Sequence, residues 1–234
     1  KKGMQIGTRE LIPAFYDTIS REAKGPLVSL SGDVEAILGH EHGLSEADRR
    51  TLRGAADAAK EVMTFIDDLL DLSRLEDGKL AVTSEEFHIG EILSGIEADA
   101  RKLIGAKEIE LLIDCHETLL NKLVSSDSYR LKQIIASLVG NAVRTTDTGT
   151  ITVLVSEAIR DCVEFVEISV ADTGRGYGPE ALEEIFESYS DHVSVGFALA
   201  KKLTEKLGGR IEAESEEGKG SVFTLEIPVK AVIY

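Results

Sequence analysis

The sequence predicts an α+β chain: a long antiparallel helical hairpin, then an α/β sandwich whose mixed sheet packs on helices. Three observations carry this expectation. Apolar residues recur at spacings of three and four over residues 8–40 and again over 45–76, the period of one helix face. Asp77-Gly78-Lys79 then interrupts the pattern. Beyond it, β-type runs alternate with helical stretches and close in hairpin-like pairs. Two domains are expected, residues 1–77 and 78–234.

In the first helix the stripe runs through Leu11, Phe15, Ile19, Leu27, Leu30, Val34 and Ile37. Pro26 lies inside it and is expected to remove one backbone hydrogen bond and kink the helix near Glu22. Residues 39–43, with His40 and His42, form the turn. Ser45 opens the second helix, with Glu46 and Asp48 placed at the positive end of its dipole. Its stripe is Leu52, Ala55, Ala59, Val62, Ile66, Leu69 and Leu70. Such a hairpin cannot cover its own apolar seam, so pairing with a second copy into a four-helix bundle through residues 8–76 is expected. Packing of the hairpin on the following domain is the alternative.

After the break, Leu80 to Val82 reads as a short strand and residues 87–103 contain a helix. Strands follow at 109–113 and 123–124, then a helix from Asp127 or Ser128 to about Arg144. Residues 150–155 and 163–170 are long β-type runs. Residues 180–186 and 195–207 read as helical, and 210–215 with 221–229 as a closing hairpin.

Composition limits the functions available. The 234 residues are 43% hydrophobic and 29% charged, as in soluble globular proteins. A net charge of −16, spread along the chain, argues against nucleic acid and against an anionic membrane surface, whose phosphates it would repel. No apolar run approaches the roughly 20 residues that span a bilayer, and none reads as a signal peptide. The expected compartment is cytosolic. The opening Lys1-Lys2-Gly3 leaves room for a sensor or membrane segment upstream. Cys115 and Cys162 have neither metal-ligand spacing nor a disulfide framework.

The stretch with the strongest chemical signal follows the run Val166 to Val170. Asp172 ends it, and Gly174, Gly176 and Gly178 follow at alternate positions. One reading is the floor of a planar ligand, with the Asp accepting from an exocyclic amine and the glycines allowing close backbone approach. The other is an ordinary Asp-Thr-Gly turn. On the preceding helix, Ser137, Asn141 and Arg144 share a face. The Asn141 amide oxygen suits Mg²⁺, and Arg144 can meet phosphate oxygens. Gly196-Phe197-Ala198-Leu199 is read as opening a helix whose free amides form an anion site. Gly218-Lys219-Gly220-Ser221 is a tight turn into the last strand, a plain hairpin turn as readily as a ligand contact.

These pieces, in this order, resemble the transmitter core of a sensor histidine kinase: a dimerisation-and-phosphotransfer hairpin followed by an ATP-binding domain of the gyrase, mismatch-repair and chaperone type. The resemblance runs from about Phe15 to Pro228. Residues 69–79, Leu-Leu-Asp-Leu-Ser-Arg-Leu-Glu-Asp-Gly-Lys, are very like the family's end of the second helix. Asp172-Thr173-Gly174-Arg175-Gly176 matches the adenine-binding glycine box. Asn141 falls on the Mg²⁺-binding asparagine, Ile185-Phe186-Glu187 on the phenylalanine box, and Gly218 to Ser221 on the last glycine turn. The resemblance implies ATP or ADP with Mg²⁺ as cofactor, held by Asn141, Arg144, Asp172, Gly174, Gly176, Gly196, Gly218 and Gly220. It also implies a homodimer with a response regulator or another histidine kinase as partner.

Departures from the family pattern shape the expected function. The phosphoacceptor box, Ser-His-Glu followed by Pro-Leu, here reads Ser20-Arg21-Glu22-Ala23-Lys24-Gly25-Pro26-Leu27. Arg21 has no lone pair at neutral pH and cannot attack a phosphoryl group. Glu22, which in the family assists proton handling, is retained. The chain's histidines, His40, His42, His88, His116 and His192, lie outside this box. Ser137 stands for an asparagine and Ala198 for a glycine. Only Ser190 to Val195 remain of the segment that covers the phosphates, and they carry no Lys or Arg; Arg144 and Lys219 are the cations left to meet them. A degenerate kinase acting as a dimeric conformational regulator or docking scaffold, with a weakened or lost ATP site, is the expected function. The alternatives are an active kinase that phosphorylates a partner in trans, or an active kinase carrying an engineered arginine at position 21.

Overall fold

Ser45 fixes where the second helix of the hairpin begins. In the computed structural model its hydroxyl accepts from the Asp48 N–H at 3.1 Å, while its own N–H donates to the Asp48 carboxylate at 3.3 Å. This reciprocal cap satisfies two donors that a helix start otherwise leaves open. The structure describes residues 8–39, 43–160, 163–187 and 192–231; the side chains of 8–21, 192, 193 and 231 lie outside the description. The chain divides into two compact units, Lys1–Leu80 and Ala81–Tyr234.

The first unit holds α1 (Thr8–Gly39) and α2 (Glu46–Glu76). α1 continues unbroken through Pro26: the missing N–H forfeits one bond without ending the helix. Lys24 pairs with Asp67, and Lys60 with Glu35 at 2.6 Å. Partners that rise along α1 fall along α2, so the hairpin is antiparallel. The buried stripe of α2 runs through Ala59, Ile66 and Leu70, as expected, with Ala56 buried in place of Ala55. Val62 is left 45% exposed, with Leu30 and Ile37 of α1 at 49% and 46%. The seam is thus incompletely covered within one chain. Asp77 caps α2 and Gly78, at φ +67°, turns the chain away. Ser45→Ala should weaken the start of α2 by about 1 kcal/mol. Faster amide exchange confined to its first turns checks this.

The described residues of the second unit form a seven-stranded sheet. In chain order the elements are β1 (Glu85–His88), α3 (Ile89–Ile104), β2 (Glu108–Cys115), α4 (Glu117–Leu120), β3 (Leu123–Ser126), α5 (Ser128–Thr145), β4 (Thr148–Arg160), β5 (Val163–Asp172), α6 (Pro179–Glu184), α7 (His192–Lys206), β6 (Arg210–Glu216) and β7 (Gly220–Ala231). The path β1-β3-β7-β5-β4-β2 is mixed, with β2 parallel to β4 and the other pairs antiparallel. β6 pairs with β7 along residues 220–226, and β3 meets β7 at Lys230 and Ala231. The expected strand at Leu80 to Val82 is not formed; β1 starts at Glu85. Leu80 is instead buried, 5% exposed.

Helices α3, α5 and α7 pack side by side, and one face of the sheet is covered by them. Alternation sorts the strands: Ile151, Val153 and Val155 of β4 and Val166, Ile168 and Val170 of β5 are buried, while Thr152, Leu154, Glu167 and Ser169 point the other way. α5 is the central helix. Leu131, Ile134, Ile135 and Leu138 are essentially inaccessible, and Asp127 caps it by accepting from the Arg130 N–H at 2.9 Å. At its far end Lys107 Nζ donates to the Val143 and Thr146 carbonyls at 2.7 and 2.9 Å, satisfying groups the helix cannot pair itself. That fixes the α5 terminus beside the end of β5, where the site lies.

Candidate functional site

Asp172 is the last residue of β5, in register with Ile151 on one side and Ser221 on the other. It is 6% exposed. Its Oδ1 accepts from the Gly174 N–H at 2.8 Å, and its Oδ2 has no partner. Burial pushes the carboxyl above the usual carboxylate range, with the Gly174 N–H and Ser221 working against the shift. A buried acceptor without a donor is costly enough to require a reason. An amine donor on a ligand would supply one.

The glycines of the loop serve the chain's own backbone. A Cβ on Gly174 would lie 2.4 Å from the Thr145 carbonyl oxygen, and one on Gly176, at φ +63°, 2.2 Å from that of Glu216. These contacts let the loop be stitched down. The Arg175 N–H donates to Thr145 at 3.1 Å, the Gly218 N–H to the Arg175 carbonyl at 2.7 Å, and the Tyr177 N–H to Ser215 Oγ at 2.8 Å. Gly220 closes the same junction from β7, while Gly218 sits in open space at the hairpin tip. Lys219 is paired with Glu216 at 2.6 Å.

Asn141 is buried on α5, 2% exposed. Its Oδ1 accepts from the Tyr177 hydroxyl at 3.1 Å and its Nδ2 has no partner. Arg144, one turn on, is exposed. Gly196 does not open a helix: α7 starts at His192, so the Gly196 amide lies beyond the first-turn donors that could face an anion. Residues 194–200 are all buried, and a Cβ on Gly196 would lie 2.9 Å from Ser137 Oγ. The glycine brings α7 against α5, and Ala198, fully buried, continues the packing.

Adenine and a metal-bound triphosphate therefore fit unequally. Asp172 offers an acceptor of the right chemistry. The amide oxygen that would hold a metal is engaged by Tyr177, and no described group of three or more His, Cys, Asp or Glu side chains can hold an ion. A groove of about 340 Å³ beside Asp172 is lined by Glu214 and Glu216 as well as Lys219, a poor match for phosphate charge. The larger cavity, about 510 Å³, lies among α3, β2 and α4 and contains none of these residues. Sequence reasoning gave Tyr177 and Ser215 no role; an aromatic directly after the second glycine of the box was the available signal.

Glu22 is exposed on α1. Arg21 precedes it in the same helix, its side chain outside the described residues, as are His40, His42, Cys162 and residues 188–191 of the short segment before α7. His88 Nδ1 is bonded to the Asn121 carbonyl at 3.1 Å, and His116 caps α4.

Residues 126–231 match the family model described as histidine kinase-, DNA gyrase B- and HSP90-like ATPase. Over 92% of the chain the sequence is 31% identical to the sensor protein DivL of Caulobacter vibrioides, covering 28% of that protein. The autoinducer 2 sensor kinase/phosphatase LuxQ of Vibrio cholerae is 29% identical over 93% of the chain and 26% of its own length. The crystal structure of full-length ShkA in complex with AMPPNP superposes with a TM-score of 0.73 at 26% identity, over 95% of this chain and 47% of ShkA. This chain is a histidine-kinase transmitter module. It is homologous to the sensor histidine kinases and spans about a quarter of the length of these two curated relatives. In the module, the helical hairpin and the ATPase-type unit keep the family's order. AdeS of Acinetobacter baumannii, at 19% identity and a TM-score of 0.60, shares the fold over 88% of this chain and 96% of its own. No helix among the described residues is long and apolar enough to cross a membrane.

Proposed function

We propose that this module is a dimeric conformational regulator in two-component signalling that recognises an adenine nucleotide and does not phosphorylate itself on the usual residue. The observation that carries this reading is Arg21. Its guanidinium stays protonated and has no free lone pair, so it cannot accept a phosphoryl group. The place of Gly196 points the same way, because it lies beyond the first turn of α7, where free amides could meet phosphates. Asp172 Oδ2 is the part of the site that remains fit for its ligand: it would hold the exocyclic amine of adenine. Bound ATP would otherwise supply the phosphoryl group for transfer.

Residues 1–77 would act as the dimerisation unit and 78–234 as the nucleotide-sensing unit. Ala55, Val62 and Leu69 recur every seventh residue on α2, beside the stripe buried within the hairpin. A second copy would cover them, completing a four-helix bundle. The packing of that bundle is then the output, presented to a response regulator or another kinase and biased by nucleotide or by an upstream segment.

Retention of Asp172 and Asn141 favours a second reading, a kinase acting in trans on a partner's histidine. Incubation with radiolabelled ATP, on the chain as it stands and on Arg21→His, separates the two, with a fluorescent ATP analogue titrated in parallel. Nucleotide binding with no label on the unmodified chain is expected. Label on the unmodified chain refutes the regulator reading, and label only on Arg21→His shows a competent site that has lost its acceptor.

A further inference from the structure

We propose that Tyr177 is a built-in occupant of the metal position, so that an adenine nucleotide binds this chain without help from a divalent cation. This rests on the adenine reading of Asp172 given above. The Tyr177 hydroxyl donates to Asn141 Oδ1 at 3.1 Å, the amide oxygen that a Mg²⁺ would use.

The tyrosine is held from three sides. Its ring stands edge-on to Phe197 and to Phe223, with centroids 6.5 Å apart in both pairs. Those two rings stack on each other at 4.7 Å, and Phe186 stands edge-on to both. Its backbone N–H is fixed to Ser215 Oγ, which in turn donates to the Gly220 carbonyl at 2.8 Å. Edge-on aromatic contacts of this kind stabilise a ring beyond its area burial.

Magnesium cannot share this arrangement. It requires near-octahedral oxygen ligands at about 2.0–2.1 Å and keeps several waters, whereas Asn141 is 2% exposed and closed over by the tyrosine. The hydroxyl does the metal's local task, placing a positive dipole on the amide oxygen. A phenolic hydroxyl is a ready hydrogen-bond donor, which suits it to this acceptor. The ligand class that follows is the adenosine end of a nucleotide, recognised at Asp172, with little discrimination by phosphate number.

The experiment is a calorimetric titration of ATP and of ADP into the unmodified chain, Tyr177→Phe and Tyr177→Ile, each with magnesium chloride or with EDTA. Circular dichroism checks that the variants are folded. For the unmodified chain, magnesium should change ATP affinity by less than about twofold; in either variant it should tighten ATP by about tenfold or more. Tightening of equal size in the unmodified chain overturns the role of Tyr177 and leaves adenine recognition standing. Folded variants that gain no magnesium effect also overturn it. Binding that appears only in the variants removes adenine recognition from the unmodified chain and retains Tyr177 as the occupant. Binding by none of the three removes both.

Discussion

Asp172→Asn should weaken adenine-nucleotide binding about ten- to a hundredfold while leaving the fold intact. The Gly174 N–H, 2.8 Å from Oδ1, dictates how an asparagine must sit there: its amide oxygen faces Gly174, and its NH₂ takes the place of Oδ2. A donor then meets the donor of the exocyclic amine. Loss of a hydrogen bond to a charged group costs about 1.5–3 kcal/mol, a fall of about ten- to a hundredfold in affinity. Stability moves the other way. The folded carboxyl has a raised pKa, so its contribution to folding is full below the unfolded value and is lost as pH rises through the folded one. Ionising the buried Asp172 weighs against the fold, and asparagine removes that burden. Calorimetric titration and a melting curve on the same sample check both halves. Retained affinity sinks the amine assignment, and a fall in melting temperature contradicts the linkage argument.

Gly220→Ala should destabilise the second unit by about 3 kcal/mol or more. A Cβ at this position would lie 1.9 Å from the Asp172 carbonyl oxygen and 3.0 Å from the Thr173 Cα, with φ at +114°. Neither neighbour is a side chain that can swing away. Both belong to the end of β5, in the middle of the sheet. Gly218→Ala, two residues earlier in the same turn, is the control. It has φ +80° and nothing within 4 Å, so only the backbone preference of glycine is lost, about 1 kcal/mol. Chemical denaturation of the two variants should separate them by about 2 kcal/mol. Equal losses would mean that the junction around Asp172 gives way more readily than its backbone contacts indicate.

The long helices were legible because their stripes repeat many times, and the central strands because apolar residues alternate over eight or more positions. Short elements were not. Glu85-Glu86-Phe87-His88 carries one buried residue, Phe87, and its pairing with β3 is what makes it a strand; Leu80 to Val82 looked more strand-like, but only Leu80 is buried and its N–H donates to the Arg74 carbonyl at 3.1 Å. The start of α7 was misplaced because Gly196 marks a helix opening in propensity terms. The helix extends back to His192, where core packing of Ser194 and Val195 overrides local preference. Within the site, Asp172 could be singled out from a strand ending in a carboxylate. The Tyr177–Asn141 bond spans 36 residues of sequence, and no local pattern encodes which amide a tyrosine will find.

Arg175 is exposed on the loop surface, yet its backbone is hooked in two directions, by Thr145 at the end of α5 and by Gly218 in the last hairpin. The loop therefore behaves as a rivet joining the helix that bears Asn141 to the turn that bears Lys219. It cannot swing open like a flap, because release on either side breaks a bond and exposes the packed junction beneath. Its lifetime is set by the core under it. A ligand seated at Asp172 would thus tighten α5 and the final hairpin together, a mechanical linkage that works without a closing lid.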